Sequence, residues 1–182
     1  MDRKYVLALL GVETDGENNG ISGQTWIQKM VYAASKAHPQ LECGFVPHLR
    51  GMYSRRLRDM LREFERDGLV CMEKDGEERQ PVHLTWRGQQ EAGKAIRDVE
   101  PNVLRSLRSL KSVFNGLTYR EMIVLSYTKF PEMLEKSELG DNYQEWRKDA
   151  ALSMARSGKI SMSLGAHIYG TGVADFEDLL AA

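Results

Sequence analysis

The sequence predicts a mainly α-helical protein that contains one small β-hairpin and ends in a separate helical module. Apolar residues recur at helical spacing along most of the chain. One pair of short β-like segments, at 69–74 and 82–85, is separated by a polar, turn-rich stretch. A polar segment at 135–142 then precedes the last helices, as is typical of a linker between two modules.

The composition is that of an ordinary globular protein. The chain has 182 residues, 42% hydrophobic and 28% charged, so it is long enough to bury a core without disulfide bonds. Its formal net charge is −1, so any nucleic-acid surface must come from local segregation of arginine and lysine. Because the sequence shows no signal peptide and no apolar run near 18 residues, we expect a cytoplasmic protein without membrane contact.

The sequence indicates neither a metal site nor an enzyme. Cys43 and Cys71 do not have a CxxC spacing, and we expect both to be buried, reduced thiols. The four histidines are scattered, and none has the spacing of a metal-ligand motif. The sequence also lacks a glycine-rich phosphate loop and a nucleophile elbow, so we predict a non-enzymatic protein without a cofactor.

Two N-terminal segments are predicted to pack on the core. Residues 3–10 are mostly apolar and form a first helix or strand, and the polar stretch at 13–20 is typical of a loop. The next helix ends at His38-Pro39 and has Lys29 and Lys36 off its apolar face. That face consists of Ile27, Met30, Val31 and Ala34.

The clearest amphipathic helix runs from residue 53 to residue 67, and Gly68 stands where a glycine commonly ends a helix. The two β-like segments follow directly. The polar residues 75–81 between them predict a β-hairpin with a charged tip. The apolar face of the helix consists of Tyr53, Leu57, Met60, Leu61 and Phe64.

Two further helices are predicted, one from after Thr85 to about Val99 and one from Pro101 to Asn115-Gly116. The second carries apolar residues at spacings of four, three and four. This seam suits either the chain's own core or a helix of a second subunit. It consists of Val103, Leu107, Leu110 and Phe114.

The C-terminal part predicts short helices with clear boundary signals. Thr118 and Glu121 form a capping box that opens a helix ending before Pro131. After the linker, a helix is predicted at 146–157. The signals for the remaining helices are Gly158 as a stop, Ser161 as an N-cap and a Gly-Thr-Gly turn at 170–172.

The order helix, helix, hairpin, helix is that of a winged helix-turn-helix domain, in which the last core helix enters the major groove of DNA and the hairpin reaches phosphates or the minor groove. Several short segments carry a resemblance to a known family. They are IQKMVY at 27–32, GMYS at 51–54, RDGLV at 66–70 and LTWRG at 84–88, followed by Tyr127, Pro131 and KSE at 136–138. On these segments the chain from about Ile21 to Glu138 resembles an uncharacterised prokaryotic winged-helix family. That family is similar to the Panacea antitoxin domain and, more loosely, to the MarR and PadR regulators. Met52 stands where the resemblance leads us to expect proline.

A strip of arginines opposite the apolar face of the 53–67 helix is the candidate DNA surface. Arginine pairs bidentately with guanine and also binds phosphates. The neighbouring strip is acidic, so a solvated face of arginine–acid pairs is the alternative interpretation. The acidic residues are Asp59, Glu63 and Asp67. The candidate DNA-binding residues are Arg50, Ser54, Arg55, Arg58, Arg62 and Arg66, with Lys74 and Arg79 on the hairpin.

The last module carries GKIS at 158–161, then Ala166, Gly170, Phe176 and Leu179-Leu180. On these residues the segment 149–180 resembles a small antitoxin-like helix-turn-helix family of prokaryotes. Gly172 replaces the expected serine cap, and Val173 replaces the expected arginine. The last helix is also acidic, and phosphate would repel it. We therefore expect it to bind a protein partner or to pack on the chain rather than to read DNA.

These observations predict three regions: a winged helix-turn-helix domain at 1–100, a helical extension and linker at 101–140, and a helix-turn-helix-like module at 141–182. The resemblances imply a DNA-binding transcriptional regulator, within a toxin–antitoxin or defence locus. The alternative is an adaptor or antitoxin that neutralises a protein partner without reading DNA. We also expect a homodimer, because such regulators usually read two half-sites. The candidate dimer and partner contacts are Leu107, Leu110, Phe114, Phe176 and Leu180.

Overall fold

The structure, a computed structural model, describes residues 1–14, 20–72 and 81–181. Over these residues the chain is mainly helical, as predicted. The α-helices are α1 (Arg3–Gly11), α2 (Gln24–Ala37), α3 (Arg55–Arg66), α4 (Trp86–Asp98), α5 (Pro101–Asn115), α6 (Tyr119–Lys129), α7 (Gly140–Arg156), α8 (Met162–Tyr169) and α9 (Val173–Ala181). Strands β1 (Val46–His48) and β2 (Gly51–Tyr53) form one two-stranded sheet, and β3 (Val70–Met72) and β4 (Val82–Leu84) form another.

The predicted hairpin is confirmed over its described residues. β3 and β4 are antiparallel, and Val70 faces Leu84 while Met72 faces Val82. On its other edge Val82 pairs with Ile21, which donates to the Val82 carbonyl at 3.0 Å and accepts from its N–H at 2.8 Å. This isolated β-bridge was not predicted. The charged tip of the hairpin falls within 73–80, outside the described residues.

The described chain divides into two compact units: Met1–Val46 with Met52–Asn115, and Pro47–Gly51 with Gly116–Ala182. This division does not fall after residues 100 and 140, where sequence patterns placed the boundaries. The reason is helix packing. α5 packs on α1 and α2 and so belongs to the first unit, whereas α6 packs on α7 and belongs to the second.

The apolar seam of α5 lies in the core of the first unit. Leu107 is fully buried, Phe114 is 4% exposed, and the indole N–H of Trp26 on α2 donates to the Phe114 carbonyl at 3.3 Å. The prediction that Leu107 and Phe114 contact a second subunit is therefore corrected, because the chain encloses both side chains. Leu110 is half-buried.

Two lysines are buried in the first unit. Lys29 on α2, expected off the apolar face, is only 1% exposed, and burial lowers its pKa to about 7. Lys111 on α5 is fully buried. Its ammonium donates to the carbonyls of Leu10 at 2.8 Å and Val12 at 2.9 Å, where α1 ends. Burial lowers the pKa of Lys111 to about 8. A cation at the C-terminus of a helix interacts favourably with the helix dipole.

The second unit confirms most predicted helix boundaries, but α7 begins at Gly140, inside the predicted linker at 135–142, and not at residue 146. The capping box of Thr118 and Glu121 opens α6, Ser161 caps α8, and Gly170 ends α8 in the left-handed region at φ 89°. Phe176 of α9 is fully buried against Gly165, where an added Cβ would lie 2.5 Å from the Phe176 ring. Phe176 therefore belongs to the core and not, as predicted, to a partner surface. Leu180 is half-buried.

Candidate nucleic-acid interface

Helix α3 carries the candidate site, and its ends have identifiable causes. It begins at Arg55 rather than at the predicted Tyr53, because Ser54 is extended and its hydroxyl accepts the Leu57 N–H at 3.1 Å. It ends as predicted at Gly68, whose φ of 68° suits glycine. The following N–H, of Leu69, donates to the Phe64 carbonyl at 2.8 Å and completes this C-terminal cap.

The side chain of Gln28 fixes the N-terminus of α3. Its Nε2 donates to the Ser54 carbonyl at 3.0 Å, and its Oε1 accepts the Ser54 N–H at 2.9 Å. The Ser54 hydroxyl in turn donates to the Cys43 carbonyl. Gln28 is 4% exposed and Ser54 is fully buried. Ser54 therefore positions the helix and offers no surface to DNA, which corrects its assignment as a DNA-binding residue.

The arginine strip lies on the face of α3 opposite the core. Leu57, Leu61 and Phe64 are fully buried. Arg55, Arg62 and Arg66 are exposed, and Arg58 is partly buried with 26% of its side chain accessible. The helix periodicity thus predicted correctly that these four arginines point away from the core. Of Lys74 and Arg79 nothing is described, because both lie within 73–80.

Asp59 is the carboxylate that neutralises part of this strip. Its Oδ1 accepts two hydrogen bonds from the Arg58 guanidinium, one of them from Nε at 2.9 Å. Its Oδ2 lies 3.9 Å from Nε of Arg55. The hydrogen bond from Arg58 lowers the pKa of Asp59, so this carboxylate is ionised at neutral pH. Within the described chain, neither Arg62 nor Arg66 forms an ion pair with a carboxylate.

Further cations lie beside the C-terminal end of α3, and the sequence analysis did not identify them. Arg3 pairs with Asp67 at 2.7 Å, and the Arg87 guanidinium donates to the Asp67 carbonyl at 3.2 Å. Trp86, the first residue of α4, is 74% exposed. Arg3 and Arg87 escaped prediction because they lie far from α3 in the chain and are brought together only by the fold.

Arg50 and Cys71 also differ from expectation. Arg50 is exposed in the turn between β1 and β2 and belongs to the second unit, so the structure does not group it with the strip on α3. Cys71 is an exposed free thiol on β3, whereas Cys43 is a buried free thiol, as expected. Burial raises the pKa of the Cys43 thiol.

Helix α9 presents a different surface in the second unit. Of its nine residues only Phe176 is buried, and the remainder carry three acidic and no basic side chains. Val173 is 43% exposed and Leu179 is 37% exposed, so two apolar side chains also face solvent. The acidic residues are Asp175, Glu177 and Asp178, all exposed.

Comparison with known proteins does not assign the chain to a family. No protein-family model matches it, and no curated protein matches its sequence. The resemblance to winged-helix families therefore stays a prediction. Among residues 1–14, 20–72 and 81–181, no group of side chains is arranged to hold a metal ion, and no helix is long and apolar enough to cross a membrane.

Proposed function

We propose that this chain is a DNA-binding transcriptional regulator of the winged-helix type, with α3 as the helix that enters the major groove. The observation that carries the proposal is the strip Arg55, Arg58, Arg62 and Arg66 on the solvent side of α3, opposite a fully buried apolar face. Arginine is the residue best suited to bind both phosphates and guanine. Such a regulator would act in the cytoplasm.

The order of elements supports the winged-helix interpretation. α2 and α3 would be the helix-turn-helix pair and the β3–β4 hairpin the wing, with Ile21 bridged to the outer edge of β4. The connection between α2 and α3 spans residues 38–54, far longer than the usual turn of three or four residues. The two hydrogen bonds between Gln28 and Ser54 hold α3 to α2 in place of a short turn.

The proposal includes a homodimer, because helix-turn-helix regulators commonly read two half-sites about one helical turn apart. With Leu107 and Phe114 in the core, the apolar side chains of α5 that remain accessible include the half-buried Leu110 and Val113, which is 43% exposed. These two would lie at the interface. The two resemblances support a role in a toxin–antitoxin or defence locus.

Fluorescence anisotropy with a labelled duplex tests the proposed function. The full chain should bind duplex DNA with an affinity that falls as salt rises, because binding to phosphates releases condensed counterions. The slope of log K against log salt estimates the number of phosphates neutralised, at about 0.9 for each phosphate. An affinity too weak to measure at 50 mM salt, or one independent of salt, would rule out this function.

A second candidate function is a protein-binding adaptor or antitoxin. The observation that favours it is α9, whose acidic and apolar exposed residues suit a basic protein surface better than DNA. Co-purification with the products of neighbouring genes tests it. A double variant, Val173→Ser with Leu179→Ser, removes the exposed apolar side chains without a change in charge and should weaken capture of such a partner. DNA binding by the same variant should stay intact if the two functions use separate surfaces.

A further inference from the structure

The exposed side of α3 has an unusually restricted chemistry. Four of its twelve residues, Leu57, Met60, Leu61 and Phe64, are buried. The other eight are five arginines and three acids, so the exposed side offers neither an amide, a hydroxyl nor an apolar side chain. A helix that reads DNA with this face must therefore do so with guanidinium and carboxylate groups only.

Four of these residues form a central line along α3. Arg55, Asp59, Arg62 and Arg66 are four, three and four residues apart, so they lie one above another on the helix. Their line is directly opposite the buried core face. Arg56 and Arg58 lie to either side of it, and the Arg56 guanidinium donates to the Met1 carbonyl at 3.0 Å. In a major groove the central line would lie deepest, whereas the flanking side chains would lie nearer the phosphate backbones.

The chemistry of the central line selects one kind of base pair. Arginine pairs bidentately with O6 and N7 of guanine, and aspartate accepts from N4 of cytosine. Adenine is instead read by asparagine or glutamine, and the methyl group of thymine by apolar side chains, which the exposed side of α3 lacks. We propose that α3 recognises a DNA site built from G·C base pairs, which Arg62, Arg66 and Asp59 read in the major groove. This proposal rests on the proposed DNA-binding function.

The structure shows why Asp59 can take part. Its Oδ1 is held by the Arg58 guanidinium, which fixes the orientation of the carboxylate. Its Oδ2 lies 3.9 Å from Nε of Arg55, and 47% of the side chain is exposed, so this oxygen can accept a hydrogen bond from an amino group of cytosine. Arg62 and Arg66 form no ion pair in the described chain, so their guanidinium groups are available to donate hydrogen bonds to guanine.

The test starts from a pool of randomised duplexes and the full-length protein. Bound duplexes are recovered, sequenced and compared with the input pool, and G·C pairs should be enriched in the core of the site. The enriched duplex is then prepared in two modified forms. 7-Deazaguanine removes the N7 acceptor from the major groove and should weaken binding by about 5- to 150-fold at each base read bidentately. Inosine keeps O6 and N7 and lacks only the minor-groove amine, so it should bind as guanine does.

Three variants assign the base contacts to residues. Arg62→Lys keeps the charge but loses the planar guanidinium fork, so it should weaken the preference for guanine at one position while binding generic duplex DNA as before. Arg97→Lys, on the exposed side of α4, is the matched control and should keep the full preference. Asp59→Asn should lose the preference for cytosine at one base position and gain a preference for adenine there, because asparagine pairs with adenine.

The outcomes of these experiments distinguish the recognition of G·C pairs from DNA binding itself. Salt-dependent binding with enrichment of A·T pairs, or with no loss on 7-deazaguanine substitution, would overturn the G·C inference and leave the DNA-binding function standing. If the protein bound no duplex in the pool, both would fail. Enrichment of G·C pairs with loss on 7-deazaguanine and retention on inosine is the result expected.

Discussion

The side-chain amide of Gln28 makes two hydrogen bonds to the main chain of Ser54, and together they join the middle of α2 to the first turn of α3. Both residues are buried, so water cannot replace either bond. We expect Gln28→Ala to lower the free energy of unfolding by about 2–4 kcal/mol, because it leaves a buried N–H and a buried carbonyl without partners. Urea denaturation followed by circular dichroism measures this change.

The matched control for that prediction is Gln90→Ala. Gln90 is exposed on α4, so its truncation should change the free energy of unfolding by less than about 0.5 kcal/mol. Equal stability of the two variants would mean that the amide of Gln28 does not hold α3 in solution.

The close approach of α4 to the start of β3 yields a second prediction. A Cβ added at Gly88 would lie 1.8 Å from the Leu69 carbonyl oxygen, which is main chain and cannot swing away. Gly88→Ala should therefore destabilise the protein by about 1–3 kcal/mol. Gly93→Ala, on the same helix with open space around it, should instead stabilise by about 0.5–1 kcal/mol. Thermal denaturation of both variants checks the opposite signs, and a loss of stability in both would contradict the proposed cause.

Features set by neighbouring residues were predictable from the sequence. The end of α3 at Gly68 and the capping box of Thr118 and Glu121 depend on bonds between residues three to five positions apart, and both were found as predicted. The arginine strip was likewise predictable, because it follows from the helical period and the apolar face alone.

Features set by distant partners were not predictable. Lys111 can be buried because carbonyls about a hundred residues away accept hydrogen bonds from its ammonium, and the β-bridge of Ile21 depends on its pairing with Val82. Ser54 was misassigned because a serine before a helix can cap it or face DNA, and only its burial distinguishes the two. The seam of α5 posed the same problem, since apolar residues at helical spacing suit a core and a subunit interface equally well.

The buried carboxylate of Glu121 should make the second unit sensitive to acid. It is 2% exposed and accepts bonds from the Lys159 ammonium at 2.8 Å, the Ser153 hydroxyl at 2.9 Å and the Thr118 N–H at 2.8 Å. Burial by itself would raise the pKa of Glu121, but these bonds outweigh it and the pKa is lowered. The stabilisation is therefore present above the pKa of the unfolded state, about 4.3, and is lost as pH falls through the lower folded value.

Glu121→Gln tests this interpretation. The variant should be about 1–2 kcal/mol less stable at pH 7, because a charge-assisted bond becomes a neutral one. It should also lose less stability than the unsubstituted protein between pH 5 and pH 3. Glu145→Gln, at an exposed position of α7, controls for the removal of one carboxylate. Parallel acid profiles for the unsubstituted protein and Glu121→Gln would contradict the prediction.

The buried Lys29 should make stability rise with pH above neutrality. Burial lowers its pKa to about 7, whereas an unfolded lysine holds its proton to about 10.4. Between these values the unfolded state binds more protons, so the free energy of unfolding rises as pH rises. Lys29→Met removes this titration, so urea denaturation at pH 7 and at pH 10 should show a smaller rise in the free energy of unfolding for the variant than for the unsubstituted protein.

Two further lysine variants make that prediction specific. Lys36→Met, at an exposed position of the same helix, should leave the rise with pH unchanged. Lys111→Met should destabilise the protein, because its ammonium is a donor to two carbonyls that would lose their partner. A rise with pH as large in Lys29→Met as in the unsubstituted protein would show that a group other than Lys29 causes it.

The proposed DNA surface depends most directly on Arg62, which is exposed at the centre of the strip. On a generic duplex, without a preferred site, this arginine acts only through its charge. Arg62→Glu should therefore weaken binding to every such duplex and reduce the slope of log K against log salt by about 0.9 for each phosphate that is no longer neutralised. Arg97→Glu makes the same change in net charge on α4 and should have a much smaller effect, because the field of a single surface charge is screened within about 10 Å at 0.1 M salt. Equal losses of affinity for the two variants would show that net charge alone governs binding, and α3 would then not be the DNA-binding helix.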